Sequence, residues 1–148
     1  MHVIGIDVAK ATFDIALPLG QGKYRTRAKV GNDVAGWEQL LAWRHKHAPD
    51  AVVGMEATGI YHEALAERLV AAGVTVYVIN PAQIKAYGHS ELLRTKTDRT
   101  DAKLIARFFQ SRLLEPERLH PYVPLTPTER TLQALVRRLD DLNQMRQM

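Results

Sequence analysis

The first thirty residues constrain the fold more tightly than any other stretch. "HVIGIDV" is a short apolar run rich in β-branched side chains, and "TFDIALP" follows it after three residues. The pair reads as two strands joined by a tight turn. "KYRTRAKV" alternates well enough to be a third, more exposed strand. From Asp33 to His47, Val34, Trp37, Leu40, Leu41 and Trp43 fall mainly at helical spacing behind an Asn32 or Asp33 cap. "AVVGME" then reads as a buried strand, "GIYHEALAERLVAAG" as a helix ended by Gly73, and "VTVYVIN" as a strand stopped by Pro81. A short helix, a polar gap and a helix from about Asp98 to Leu114 complete the series. Three strands followed by alternating helix and strand predict an α/β fold. Its mixed sheet starts antiparallel, and helical crossovers make the later strands parallel.

Composition narrows the class. The chain has 148 residues, 46% of them apolar, enough for one domain with a real core. Its formal charge of +4 favours a nucleic-acid partner only slightly over an ordinary basic surface. Cysteine is absent, which excludes disulfides and thiolate metal sites and fits a reducing compartment. No apolar run approaches the ~20 residues of a membrane span, and "MHVIGIDVAK" lacks the pattern of a signal peptide. The expected location is the cytoplasm, with no membrane partner.

"EPERLHPYVPLTP" reads as a proline-punctuated linker. A helix follows it, capped by Thr126, with Pro127 in its first turn and Glu129 at the capping-box position. Leu132, Leu135, Leu139, Leu142 and Met145 repeat with coiled-coil spacing to the end of the chain. We expect a domain over 1–122, then a linker and the start of a coiled-coil-like helix over 123–148. The interrupted seam suggests a longer protein, and its apolar stripe an association surface for a homo-oligomer, dimer or higher.

Four acids fall at element ends. Asp7 closes the first apolar run, Glu56 ends "AVVGME", and Asp98 and Asp101 open the late helix, three positions apart on one helix face. Singly, each has a plain explanation: a turn residue, a surface glutamate, helix caps. Together they form a cluster whose mutual repulsion calls for cations, and oxygen donors favour hard ions such as Mg²⁺ or Mn²⁺. Two such ions ~3.5–4 Å apart can drive phosphodiester cleavage. Lys96, Arg99 and Lys103 around them are candidate contacts to a nucleic-acid backbone, although a charged, solvated face would carry the same residues.

"GIDVAKATFDIAL", "GMEATGIYHEALAERL", "VYVINPAQIKAY" and "RTKTDRTDAKLIARF" resemble the N-terminal domain of DEDD transposases, the Piv-invertase-like recombinases of insertion-sequence family one hundred and ten. The likeness runs from about Val3 to Tyr122. "TDRTDA" with an upstream "EATG" is specific; "GIDVAK" alone also opens sugar kinases and actin-like ATPases. The resemblance implies a RuvC-like, ribonuclease-H-like fold and a catalytic, metal-binding tetrad of Asp7, Glu56, Asp98 and Asp101. It also implies DNA as substrate, a guide RNA in the full-length protein, and a further C-terminal domain with a nucleophilic serine. Neither Ser90 nor Ser111 has a context resembling that serine. A non-catalytic module that binds nucleic acid or dimerises is the alternative, and an actin-like ATPase a distant third.

Other residues weigh less. His62 reads as structural before it reads as a phosphate contact, and Trp37 and Trp43 as core or rim packing. Lys10 and Thr12 could approach a phosphate. Thr58 and Gly59 could expose N–H groups at a helix start, although Gly59 also suits a turn. His2, His45, His47 and His120 have no usable metal-ligand spacing.

Overall fold

A computed structural model describes residues 2–90 and 101–146. Its strands are β1 (Val3–Val8), β2 (Thr12–Gly20), β3 (Lys23–Gly31), β4 (Val52–Glu56) and β5 (Val76–Ile79), ordered β3-β2-β1-β4-β5 in one sheet. The pairs β1–β2 and β2–β3 are antiparallel, and β1–β4 and β4–β5 are parallel. The antiparallel start and the parallel later strands expected from the sequence are thus observed.

The period-two pattern of β1 assigns the layers. Ile4, Ile6 and Val8 face the helices α1 (Val34–His47) and α2 (Glu63–Ala71), packing in one cluster with Leu40, Trp43, Leu65 and Leu69. Val3 faces the other way, toward α3 (Pro81–Ser90) and α4 (Ala102–Arg112), in a cluster with Ile84, Phe108 and Phe109. The sheet lies between two helical layers.

Helix α4 lies low on its face. Ala16, Gly5 and Gly54 are register neighbours across β2, β1 and β4. A Cβ on Gly5 would overlap the backbone of Ala106, and one on Gly54 the ring of Phe109. Only residues this small let the helix backbone approach the strands so closely.

Two helices start later than their sequence patterns suggest. Gly59 adopts φ +58° and residues 59–62 form turns, so α2 begins at Glu63; Thr58 and Gly59 therefore do not open a helix. Asp101 is extended (φ −129°, ψ 174°) and its carboxylate accepts from the Leu104 N–H at 2.8 Å. Capping thus falls to Asp101 and α4 begins at Ala102, so Asp101 itself is not on a helix face; Asp98, expected to share one with it, lies outside the described residues. The other ends agree with expectation. Asp33 caps α1 through the Gly36 N–H at 2.8 Å, and Gly73 (φ +83°) closes α2.

The proline-punctuated stretch is docked on the sheet. It contains a one-turn 3-10 helix (Pro116–Arg118), buries Leu119, and donates from Tyr122 N–H to Val76 O at 2.7 Å along β5. Beyond it, α5 (Pro127–Arg146) starts with Thr126 Oγ1 accepting from the Glu129 N–H at 3.1 Å. Arg130–Glu67 and Arg137–Glu63 ion pairs, each 2.7 Å, link α5 to α2. Its leucines nonetheless stay in solvent: Leu132, Leu135, Leu139 and Leu142 are 48–60% exposed.

Candidate active site

Asp7 and Glu56 come together through strand register. Gly5 pairs with Gly54 and Ile6 with Met55 in the parallel β1–β4 ladder, so the next step along brings Asp7 beside Glu56. Both lie on the α4 face, two residues beyond its glycines, at the carboxyl ends of parallel strands where open α/β sheets bind ligands. Burial pushes the Glu56 carboxyl above its ordinary pKa, and the neighbouring Asp7 charge pushes it in the same direction. That response is expected of two carboxylates sharing a partly desolvated site.

Asp14, which the sequence did not single out, stands directly across from Asp7 on β2. Its carboxylate accepts from the Lys29 N–H at 2.8 Å, where β3 bulges and Lys29 adopts φ +55°. Asp14 therefore serves the backbone of the edge strand.

Asp101 lies over the same face of the sheet, at the head of α4, with one oxygen committed to the cap. Among the described residues no three His, Asp or Glu side chains converge on one point. Asp98, Lys96 and Arg99 lie outside the described residues. Lys103 is on the first turn of α4, exposed, with Nζ 5.7 Å from the centre of the Tyr24 ring.

Asn32 holds the neighbourhood in shape. Its Nδ2 donates to Ala9 O and to Tyr61 O, each at 3.0 Å, and its Oδ1 accepts from Trp37 Nε1 at 2.9 Å. Ala9 belongs to the loop after Asp7, and Tyr61 to the loop after Glu56. One amide thus ties together the exits of both carboxylate-bearing strands. In the sequence Asn32 reads only as a possible helix cap; nothing local signals contacts at this separation.

His62 is a buried residue at the entry to α2, and its charged neighbours are Glu63 and Arg137. Desolvation lowers its pKa. It belongs to the helical layer behind the carboxylates. Trp43 is core, and Trp37 packs against the core. His2 pairs with Asp50 at 3.2 Å.

Known proteins match this arrangement. Five strands in this order, flanked by helices on both faces, form a RuvC-like, ribonuclease-H-like fold. The RuvC structure from Thermus thermophilus superposes with a TM-score of 0.58 at 19% identity, covering 82% of this chain and all of that one. T. thermophilus RuvC in complex with a Holliday junction substrate gives 0.56 at 16% identity, over 82% of this chain and 100% of that one. At these identities the likeness is one of fold.

In sequence, residues 4–148 match the transposase family model of DEDD type, IS110. The chain belongs to that transposase family. Pilin gene-inverting proteins of Moraxella bovis and Moraxella lacunata are each 36% identical over 108 residues, 71% of this chain and 33% of theirs. The chain therefore spans about a third of the length of the curated relatives it matches.

Proposed function

We propose that this chain is the carboxylate-bearing domain of a DNA recombinase that cleaves and exchanges DNA strands with Mg²⁺ or Mn²⁺. The observation that carries the reading is the Asp7–Glu56 pair, set side by side by strand register on the α4 face. Family membership and the inverting activity named for the Moraxella relatives support DNA as the substrate. The pair also fits a hard divalent cation, because Glu56 already responds to the charge of Asp7 and a bound cation would relieve that repulsion.

Asp7, Glu56, Asp98 and Asp101 are the proposed ligands and catalytic residues. Bound ions would activate the attacking oxygen and stabilise the leaving one. The chain's own contribution is placement. β1 and β4 hold two carboxylates at fixed separation, Asn32 locks the loops behind them, and α4 carries Asp101 over the same face. Lys96, Arg99 and Lys103 would hold the phosphodiester backbone, and the longer protein would use a guide RNA and act in the cytoplasm. Among the described residues, no helix is long and apolar enough to cross a membrane.

The exposed leucine seam of α5 supports association as well, with α5 packing on a second copy in a dimer or larger homo-oligomer. A solution mass that stays monomeric would end that part of the reading.

The central test is cleavage of a branched DNA with Mn²⁺ by this chain and by the longer protein. We expect the longer protein to cleave, its Asp7→Asn variant to lose cleavage at least a thousandfold, and junction binding to persist. Undiminished cleavage by Asp7→Asn would remove Asp7 from the chemistry.

A further inference from the structure

Lys103, Arg107 and Gln110 stand at i, i+4 and i+7 on α4, one residue along from the buried stripe of Ala102, Ala106 and Phe109. They are therefore turned about 100° from that stripe. Arg107 and Gln110 form one wall of a cleft of about 280 Å³, whose other wall is the β2–β3 hairpin with Lys23 and Tyr24. The phenol of Tyr24 feels the Arg107 and Asp101 charges, and Lys103 lies against its ring. Among the described residues, no carboxylate forms an ion pair with Lys23, Lys103 or Arg107.

β2 runs antiparallel to β1, so the hairpin lies at the end of the sheet away from Asp7 and Glu56. The polar stripe of α4 thus leads from Asp101 toward that far end. From Lys103 to Gln110 it rises about 10 Å, some three phosphate steps of one strand.

We propose that this cleft and stripe form a sequence-neutral binding site for the phosphodiester backbone of the DNA strand leaving the carboxylates, with Lys23, Lys103 and Arg107 as its cations. The inference rests on the DNA reading above. Cations that form no ion pair among the described residues, lined up along a concave path, suit a polyanion of regular charge spacing. The glycine-rich turn at Gly20–Gly22 lets a backbone come close. DNA is favoured over RNA because the path continues from the carboxylates assigned to DNA cleavage.

The test is fluorescence anisotropy of this chain with a labelled four-way DNA junction, across a salt series, beside a labelled hairpin RNA. The triple variant Lys23→Gln, Lys103→Gln, Arg107→Gln should weaken junction binding tenfold or more. It should also flatten the slope of log affinity against log salt by roughly two to three, as lost phosphate contacts require. A control triple, Arg25→Gln, Arg27→Gln, Lys46→Gln, removes the same charge from the α1 side of the sheet and should change both far less. Arg107→Lys should keep most of the slope. Equal losses in the two triples would mean that net charge alone is felt, and would overturn the site. A loss confined to the RNA arm would overturn its assignment to DNA. Wild-type chain that fails to bind the junction at all would sink the DNA reading itself, a result distinct from intact binding by the cleft triple.

Discussion

On the α1/α2 side of the sheet, Ile4, Ile6, Val53 and Met55 meet Leu40, Leu65 and Leu69. On the α4 side, the same two strands offer Gly5 and Gly54, and α4 approaches almost to their backbones. The first face is bulk against bulk, where lost methyl groups cost transfer energy and leave a cavity. On the second, the helix backbone presses on Gly5 and the Phe109 ring on Gly54, and one added carbon has nowhere to go. The polar chemistry belongs to the second face. Two residues past the glycines, the strands end in Asp7 and Glu56 instead of aliphatics, and the close-packed helix brings its N-terminus and basic stripe over the same surface. Bulk packing and the candidate site are divided between the faces.

The sharpest way to break this comparison is to add one methyl group to the α4 face. Gly5→Ala should cost about 3 kcal/mol, because the clash is with helix backbone that cannot rotate away. Ile6→Val, one residue on and facing the other way, should cost about 1 kcal/mol. Urea denaturation of both variants measures the difference. If Gly5→Ala is as mild as Ile6→Val, α4 is not seated as described.

A smaller effect should come from Asn32, which joins the loops beyond β1 and β4. Asn32→Ala leaves two carbonyls and the Trp37 indole N–H without their partner, for a cost of about 2 kcal/mol. Under the metal reading, Mn²⁺ affinity measured by calorimetry should fall about tenfold as the two carboxylates lose their fixed separation. Trp37→Phe removes only the indole donor and should cost about 1 kcal/mol with little change in affinity. Unchanged Mn²⁺ binding in Asn32→Ala would leave Asn32 a purely structural role.

How legible each face was in the sequence follows from the same contrast. Strand alternation is local, so β1 to β5 and their succession along the chain could be read from short windows. Helix starts were less legible. "TDRTDA" contains two acids that could each cap a helix, and sequence cannot say which backbone is extended; Asp101 is, and the helix begins after it. The Asp7–Glu56 contact could be expected from two acids at strand ends, but its cause is the β1–β4 register, which no single segment contains. Asn32 and the Lys23–Arg107 cleft depend on distant segments meeting, and the 3.6-residue spacing of Lys103, Arg107 and Gln110 was the only local sign of the cleft.

The smallest predicted effect is also the one whose sign discriminates best. The folded-state pKa of Glu56 lies above its ordinary value of 4.5, through burial first and the Asp7 charge second. A raised pKa means that the folded state holds the proton more tightly than the unfolded one. The stability associated with it is fully present below the ordinary value and is lost as pH rises through the raised value. Near neutral pH an ionised Glu56 therefore weakens the metal-free protein, and Glu56→Gln should stabilise it. The gain is a few tenths of a kcal/mol, because the carboxyl is partly solvated and screened. Below about pH 4, where the wild-type carboxyl carries its proton, the two proteins should converge in melting temperature. Glu67→Gln, on the opposite face, breaks the 2.7 Å pair with Arg130 and should move stability the other way by a similar amount. Saturating Mn²⁺ should reverse the ranking at neutral pH, because a ligand bound only by the folded wild type stabilises it by mass action. A Glu56→Gln variant that is less stable without metal at neutral pH would show that Glu56 serves the fold, and the charge-strained pair on the α4 face would have to be abandoned.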